Sequence, residues 1–144
     1  LDTTGFAPKE VIAKVMDKVD LFLFDIKHLD DELHKRFTGV SNKLILENLK
    51  FLYEKDKKII IRFPVIPGVN NNELHINELQ SYLKKDLPGI RKVDLLPYHN
   101  IADHKYEKFK LLNRMKEVNT TSGLSIDEIR SSFEAKGFQV EIGG

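Results

Sequence analysis

Asp20-Leu21-Phe22-Leu23-Phe24-Asp25-Ile26 is a short apolar run bounded by charges, and its reading decides the fold. Such a run reads as a strand buried on both faces, the pattern of a parallel sheet. Helix signals lie on either side of it. Pro8 is a good first-turn residue, and Val11, Ile12, Val15, Met16 and Val19 recur behind it at helical spacing. After the run, Asp30-Asp31-Glu32 places acids at the start of a short helix that Gly39 ends.

The alternation continues along the chain. Ser41 and Asn42 can cap a longer helix whose apolar face is Ile45, Leu49, Leu52 and Tyr53. A second apolar run, Ile59 to Ile66, reads as a strand ending near Pro64 or Val65, since proline cannot donate to the ladder. Asn70 to Asn72 suit a helix cap before the stripe Ile76, Leu79 and Leu83. Pro88-Gly89 is a turn, and Val93 to Tyr98 is the third strand. A lysine-rich loop fills roughly 100 to 123. Ser125 and Glu128 have capping-box spacing for a last helix, and Phe138 to Ile142 reads as a final strand. The order α-β-α-α-β-α-β-α-β predicts an α/β fold, with mainly parallel strands joined by right-handed helical crossovers. No repeat or linker interrupts it, so residues 1–144 are expected to form one unit without an internal domain boundary.

Composition narrows the function. The chain has 144 residues, with Lys+Arg 23 against Asp+Glu 22, a net charge of +1. Near-balance argues against a nucleic-acid binder held by bulk charge. No cysteine is present, which excludes disulfides, a thiolate nucleophile and any cysteine-held zinc or iron–sulfur cluster on this chain. That absence fits a cytoplasmic protein. The longest apolar stretch, around Ile59 to Pro67, is broken by Arg62 and falls short of the roughly 20 residues a membrane span needs.

The informative polar residues stand at strand ends, where open α/β sheets and barrels bind ligands. Asp2-Thr3-Thr4-Gly5 precedes the first helix. Asp25 and Lys27 are two apart, so they share one face of a strand, as a functional pair or as a structural ion pair. Arg62 lies inside an apolar strand and needs a partner; pairing with Asp94 or Asp25 is the simplest expectation. His99 follows the third strand as a donor, an acid–base group or a capped loop residue. His28, His34, His75 and His104 show no metal-ligand spacing, and no GxGxxG, P-loop or GxSxG is present.

Five stretches together resemble the C-terminal part of the glycyl-radical-enzyme activating enzymes, radical S-adenosylmethionine proteins of the pyruvate formate-lyase activating type. They are Asp2 to Phe6, Val19 to His28, Thr38 to Asn42, Ile61 to Asn70 and Leu95 to His99, in the family's order and near its spacing. The resemblance covers residues 1 to about 106 well and the rest more loosely. It implies the C-terminal half of a partial TIM-type (β/α) barrel. It also implies an oxidoreductase of anaerobic metabolism, in which a reduced [4Fe–4S] cluster cleaves S-adenosylmethionine. The resulting 5′-deoxyadenosyl radical takes hydrogen from a glycine of a partner such as pyruvate formate-lyase. A flavodoxin or ferredoxin is the implied electron donor, and neither nucleic acid nor membrane is an implied partner. By the resemblance, Asp2, Asp25, Lys27 and His99 line the S-adenosylmethionine site around its methionine and ribose groups. Arg62 faces the peptide substrate or the cofactor.

The family's CxxxCxxC motif and Gly-Gly-Glu segment are missing, and so is its pattern after Lys105-Tyr106. The chain therefore reads as a fragment of a longer enzyme, inactive alone. Two other readings compete. Asp25-x-Lys27-x-x-Asp30 matches the DxKxxD pattern of decarboxylase-like barrels, and Lys27 could serve as an aldolase-like Schiff-base lysine. A non-catalytic scaffold or partner-binding domain is the other. A half-barrel would leave two strand edges and an apolar interior face open, which predicts a homodimer or another chain covering that face.

Overall fold

The computed structural model describes residues 1–98 and 123–143. The elements run β1 (Asp2–Thr3), α1 (Lys9–Val15), a 3₁₀ turn (Met16–Lys18), β2 (Phe22–Asp25), α2 (Asp31–Thr38) and α3 (Lys43–Glu54). They continue with β3 (Ile59–Val65), α4 (Glu73–Asp86), β4 (Lys92–Pro97), α5 (Ile126–Ala135) and β5 (Gln139–Ile142). The expected alternation is present, with β1 as a short strand carrying Asp2.

The five strands form one sheet in the order β1-β2-β3-β4-β5, and each neighbouring pair is parallel. Crossovers between sequential parallel neighbours are right-handed as a rule, which puts the core-packing helices α1, α3, α4 and α5 on one side of the sheet. The core agrees. Phe22, Phe24, Ile61, Phe63, Val93 and Leu95 from the strands form one buried cluster with Ile12, Leu49, Leu79 and Phe133 from four of the helices. The sheet is open, with β1 and β5 at its edges among the described residues.

One-sided packing corrects the expectation that the first apolar run is buried on both faces. Phe22 and Phe24 are fully buried, whereas Leu23 and Asp25 are only half-buried. The open face also differs from the apolar surface expected. Asp25 is in register with Arg62, Arg62 with Asp94, and Asp94 with Glu141, so four charged side chains cross four strands in a row. Leu23 and Ile60 form a second row on that face. The charges lie far apart in sequence, and only the strand register aligns them.

Local signals place the helix ends. Asp30 Oδ1 accepts from the Leu33 amide at 2.8 Å, and Gly39 closes α2 at φ 85°. Asn72 caps α4 through the His75 amide, and Ser125 with Glu128 forms the full capping box of α5. Asn42 stands at the N-cap position of α3 but makes no side-chain cap bond, and Asn70 and Asn71 lie ahead of the Asn72 cap. These three side chains turn inward to loop carbonyls.

Candidate functional site

The register of β1, β2 and β3 brings together four of the five residues marked in the sequence. Period-two geometry puts Asp25 and Lys27 on one side, and their charged ends meet at 3.4 Å. Strand register brings Arg62 beside Asp25. Parallel pairing of β1 with β2 then places Asp2 within reach, and the Arg62 guanidinium forms an ion pair with the Asp2 carboxylate. Arg62 therefore takes Asp2 as its ion-pair partner, in place of the Asp94 or Asp25 pairing expected from sequence. His99, the fifth candidate, lies outside the described residues, as do His104, Lys105 and Tyr106.

The electrostatics of this corner are tense. Burial pushes the Asp25 carboxyl above its ordinary range and the Asp2 charge adds to this, while Lys27 and Arg62 pull it down. Asp25 Oδ1, Arg62 Nε and Asp94 Oδ1 are buried without hydrogen-bond partners among the described residues. Asp94 is almost fully buried, and burial raises its carboxyl too. Buried polar atoms without partners cost stability and mark places where a further group can be received.

A cleft of about 460 Å³ opens beside the charged corner. That size falls within the roughly 300–1,000 Å³ of small-molecule sites. Lys27 and Thr4 give it polar groups, and Phe6, Phe37, Val40 and Ile66 give it apolar walls. Asp2, Asp25 and Arg62 stand on the open sheet face rather than in the cleft wall, so Lys27 is the link between the two.

Sequence reasoning passed over two residues here. His28 follows Lys27 and lines the cleft, almost fully buried, its Nδ1 accepting from the Asp30 amide at 3.0 Å. Its position next to Asp25-x-Lys27 was the available signal. Asp94 was noted only as a partner for Arg62, because its place in the charged row depends on register. Asp30, by contrast, spends its carboxylate on the α2 cap, which argues against an Asp25–Lys27–Asp30 catalytic cluster. No group of three or more His, Asp or Glu among the described residues could hold a metal ion. No helix among them is long and apolar enough to cross a membrane.

No family model matches the chain. Among curated proteins, it is 42% identical over 146 residues to the trans-4-hydroxy-L-proline dehydratase activating enzyme of Clostridioides difficile, covering 100% of this chain and 48% of that protein. It is also 42% identical over 144 residues to the choline trimethylamine-lyase activating enzyme of Oleidesulfovibrio alaskensis, covering 99% and 46%. The pyruvate formate-lyase 1-activating enzyme of Escherichia coli K12 is 30% identical over 142 residues, covering 97% and 57%. Among solved structures, a domain of pyruvate-formate lyase-activating enzyme from Bacteroides vulgatus superposes with a TM-score of 0.74 at 31% identity, covering 99% of this chain and 79% of that one. The chain spans about half the length of the curated relatives it matches.

Proposed function

The chain belongs to the glycyl-radical-enzyme activating enzymes, and from that premise we propose that it supplies the S-adenosylmethionine-facing part of a partial TIM-type barrel in a radical activase. The partner is a glycyl-radical enzyme, and a flavodoxin or ferredoxin is the electron donor. The observation that carries this reading is the gathering of Asp2, Asp25 and Lys27 at two adjacent strand ends beside a cleft of ligand size.

The residues suit the molecule. Lys27 can donate to a carboxylate or a ribose hydroxyl. The unpartnered Asp25 Oδ1 can accept from an ammonium or face a sulfonium, as can Asp2. The apolar walls can cover the uncharged surface and exclude water. No cysteine exists in the chain, so an iron–sulfur cluster takes no thiolate ligand from it. When bound beside a reduced cluster, S-adenosylmethionine supplies the one-electron chemistry that removes hydrogen from a glycine. This chain's own work is to bind and orient. Lys27 opposes the burial that raises the Asp25 carboxyl, Arg62 holds Asp2 in place, and the peptide or the cofactor meets Arg62 across the open face. His99 joins the same site on this reading.

The test is calorimetry of S-adenosylmethionine with the anaerobically reconstituted full-length protein. Lys27→Ala is expected to weaken binding about tenfold, or ~1.4 kcal/mol. Unchanged affinity removes Lys27 from the site. Absence of a glycyl-radical electron paramagnetic resonance signal on every candidate partner would remove the activase reading.

A further inference from the structure

Three buried asparagines hold the loops that leave the carboxyl ends of β1, β2 and β3. Asn48 Nδ2 donates to the Gly5 and Ala7 carbonyls at 2.8 and 2.7 Å. Asn42 Nδ2 donates to His28 and Leu29 at 3.0 and 2.6 Å. Asn70 Nδ2 donates to Lys27 and Pro64 at 2.8 and 2.7 Å, while its Oδ1 accepts from the Ile66 amide at 2.7 Å. All three side chains are inside the protein. Loop main chain beyond a strand end has lost its ladder partners, and buried carbonyls there need donors. An asparagine amide offers two donors on one rigid nitrogen, so it fixes two carbonyls at once.

Asn70 differs from the other two. It joins the ends of two strands, and one of its targets is the carbonyl of Lys27 itself. Lys27 lies past the end of β2, so the sheet alone does not set its position. Its ammonium nevertheless sits 3.4 Å from Asp25 and at the cleft wall.

We propose that Asn70 is a positioning residue that aims the Lys27 ammonium at Asp25 and the cleft by clamping the Lys27 main chain to the end of β3. The consequence for cofactor binding rests on the reading of Lys27 given above; the clamp itself does not. A residue that only stabilised the fold would leave the electrostatics between Lys27 and Asp25 unchanged.

The test is carboxyl-carbon NMR titration of Asp25 in this chain, for wild type, Asn70→Ala and the milder Asn70→Ser. A neighbouring cation lowers a carboxylate pKa by roughly 1–3 units, so misplacing Lys27 is expected to raise the Asp25 midpoint by about one unit. Gln80→Ala is the control. It removes a buried bond to Ser132 between α4 and α5, and is expected to lower the melting temperature while the Asp25 midpoint stays put. An unchanged Asp25 midpoint in folded Asn70 variants overturns the proposal. So does failure of both Asn70 variants to fold, which would make Asn70 a stability residue. In full-length protein, the Asn70 variants are expected to lose S-adenosylmethionine affinity about as Lys27→Ala does. A raised Asp25 midpoint without any binding of S-adenosylmethionine by wild type would sink the cofactor reading and keep the clamp.

Discussion

At the scale of single residues, His28 and His75 form a pair that local spacing conceals. Their rings stack with centroids 4.0 Å apart and 22° between planes, and both are almost fully buried. Neither nitrogen of His75 has a hydrogen-bond partner among the described residues. Burial, helped by its neighbour His28, lowers His75 to about 3, and burial lowers His28 as well. His75 is therefore neutral over the physiological range, and its 4.0 Å approach to Glu78 is no ion pair there. The native pKa lies below the ordinary value of 6.5. The contribution to stability is thus complete above about pH 6.5 and is lost as pH falls toward 3. His75→Phe keeps a ring against His28 and removes the proton-binding site. By pH 5 the variant is expected to escape about 2 kcal/mol of the wild type's acid destabilisation, with little difference at pH 8. Urea melts at the two pH values measure this. Equal pH dependence in both proteins would show that His75 does not contribute. His75 sits in α4 beside the stripe residue Ile76, but its ring partner His28 follows β2, so the pair leaves no trace in local spacing.

Among elements, α5 shows how far local chemistry can be read. Ser125 and Glu128 form both bonds of the capping box, and the bonds from Ser125 hold the Glu128 carboxyl below its usual range. Ser125→Ala is expected to cost about 1 kcal/mol. Hydrogen exchange should quicken first in the opening turn of α5, and uniform change across the chain would place the loss elsewhere. This cap was legible because all its atoms lie within four consecutive residues. The asparagines at 70–72 were only partly so. The spacing identified a cap, and Asn72 provides it, but Asn70 and Asn71 reach loops distant in sequence. Strand boundaries followed the same division. β3 ends at Val65 as Pro64 suggested, whereas β2 is shorter than its apolar run because Leu21 is already exposed and Ile26 pairs beyond the regular ladder.

For the whole molecule, the charged row across β2 to β5 matters most. One guanidinium stands between Asp25 and Asp94 and reaches Asp2. Arg62→Leu would retain much of the volume and leave these carboxylates without it. At neutral pH the expected loss is about 2 kcal/mol, below the roughly 3–5 kcal/mol of breaking a fully buried pair because Asp2 is largely exposed. Asp25 and Asp94 already have raised pKa values, and losing Arg62 raises them further. Raised native values make the charged forms a burden that grows as pH rises through them, so the deficit should shrink at pH 5 relative to pH 8. Denaturant midpoints at both pH values check this, and an equal deficit would show that Arg62 acts through packing alone. The α/β alternation and the meeting of Asp25 with Lys27 near the end of β2 could be read from sequence because each belongs to local pattern. The one-sided burial, the charged row and the choice of Asp2 by Arg62 could not, since they arise when strands far apart in sequence come into register.

Strand order equal to chain order also bears on how the molecule comes into being. During synthesis, each strand emerges after the neighbour on which it docks, and none must be inserted between strands already paired. The sheet can grow at one edge, strand by strand. The pairing that assembles Asp2, Asp25 and Arg62 needs β1, β2 and β3 alone, so it does not wait for β4 or β5 to emerge. The candidate corner can thus form before the later strands of this sheet dock.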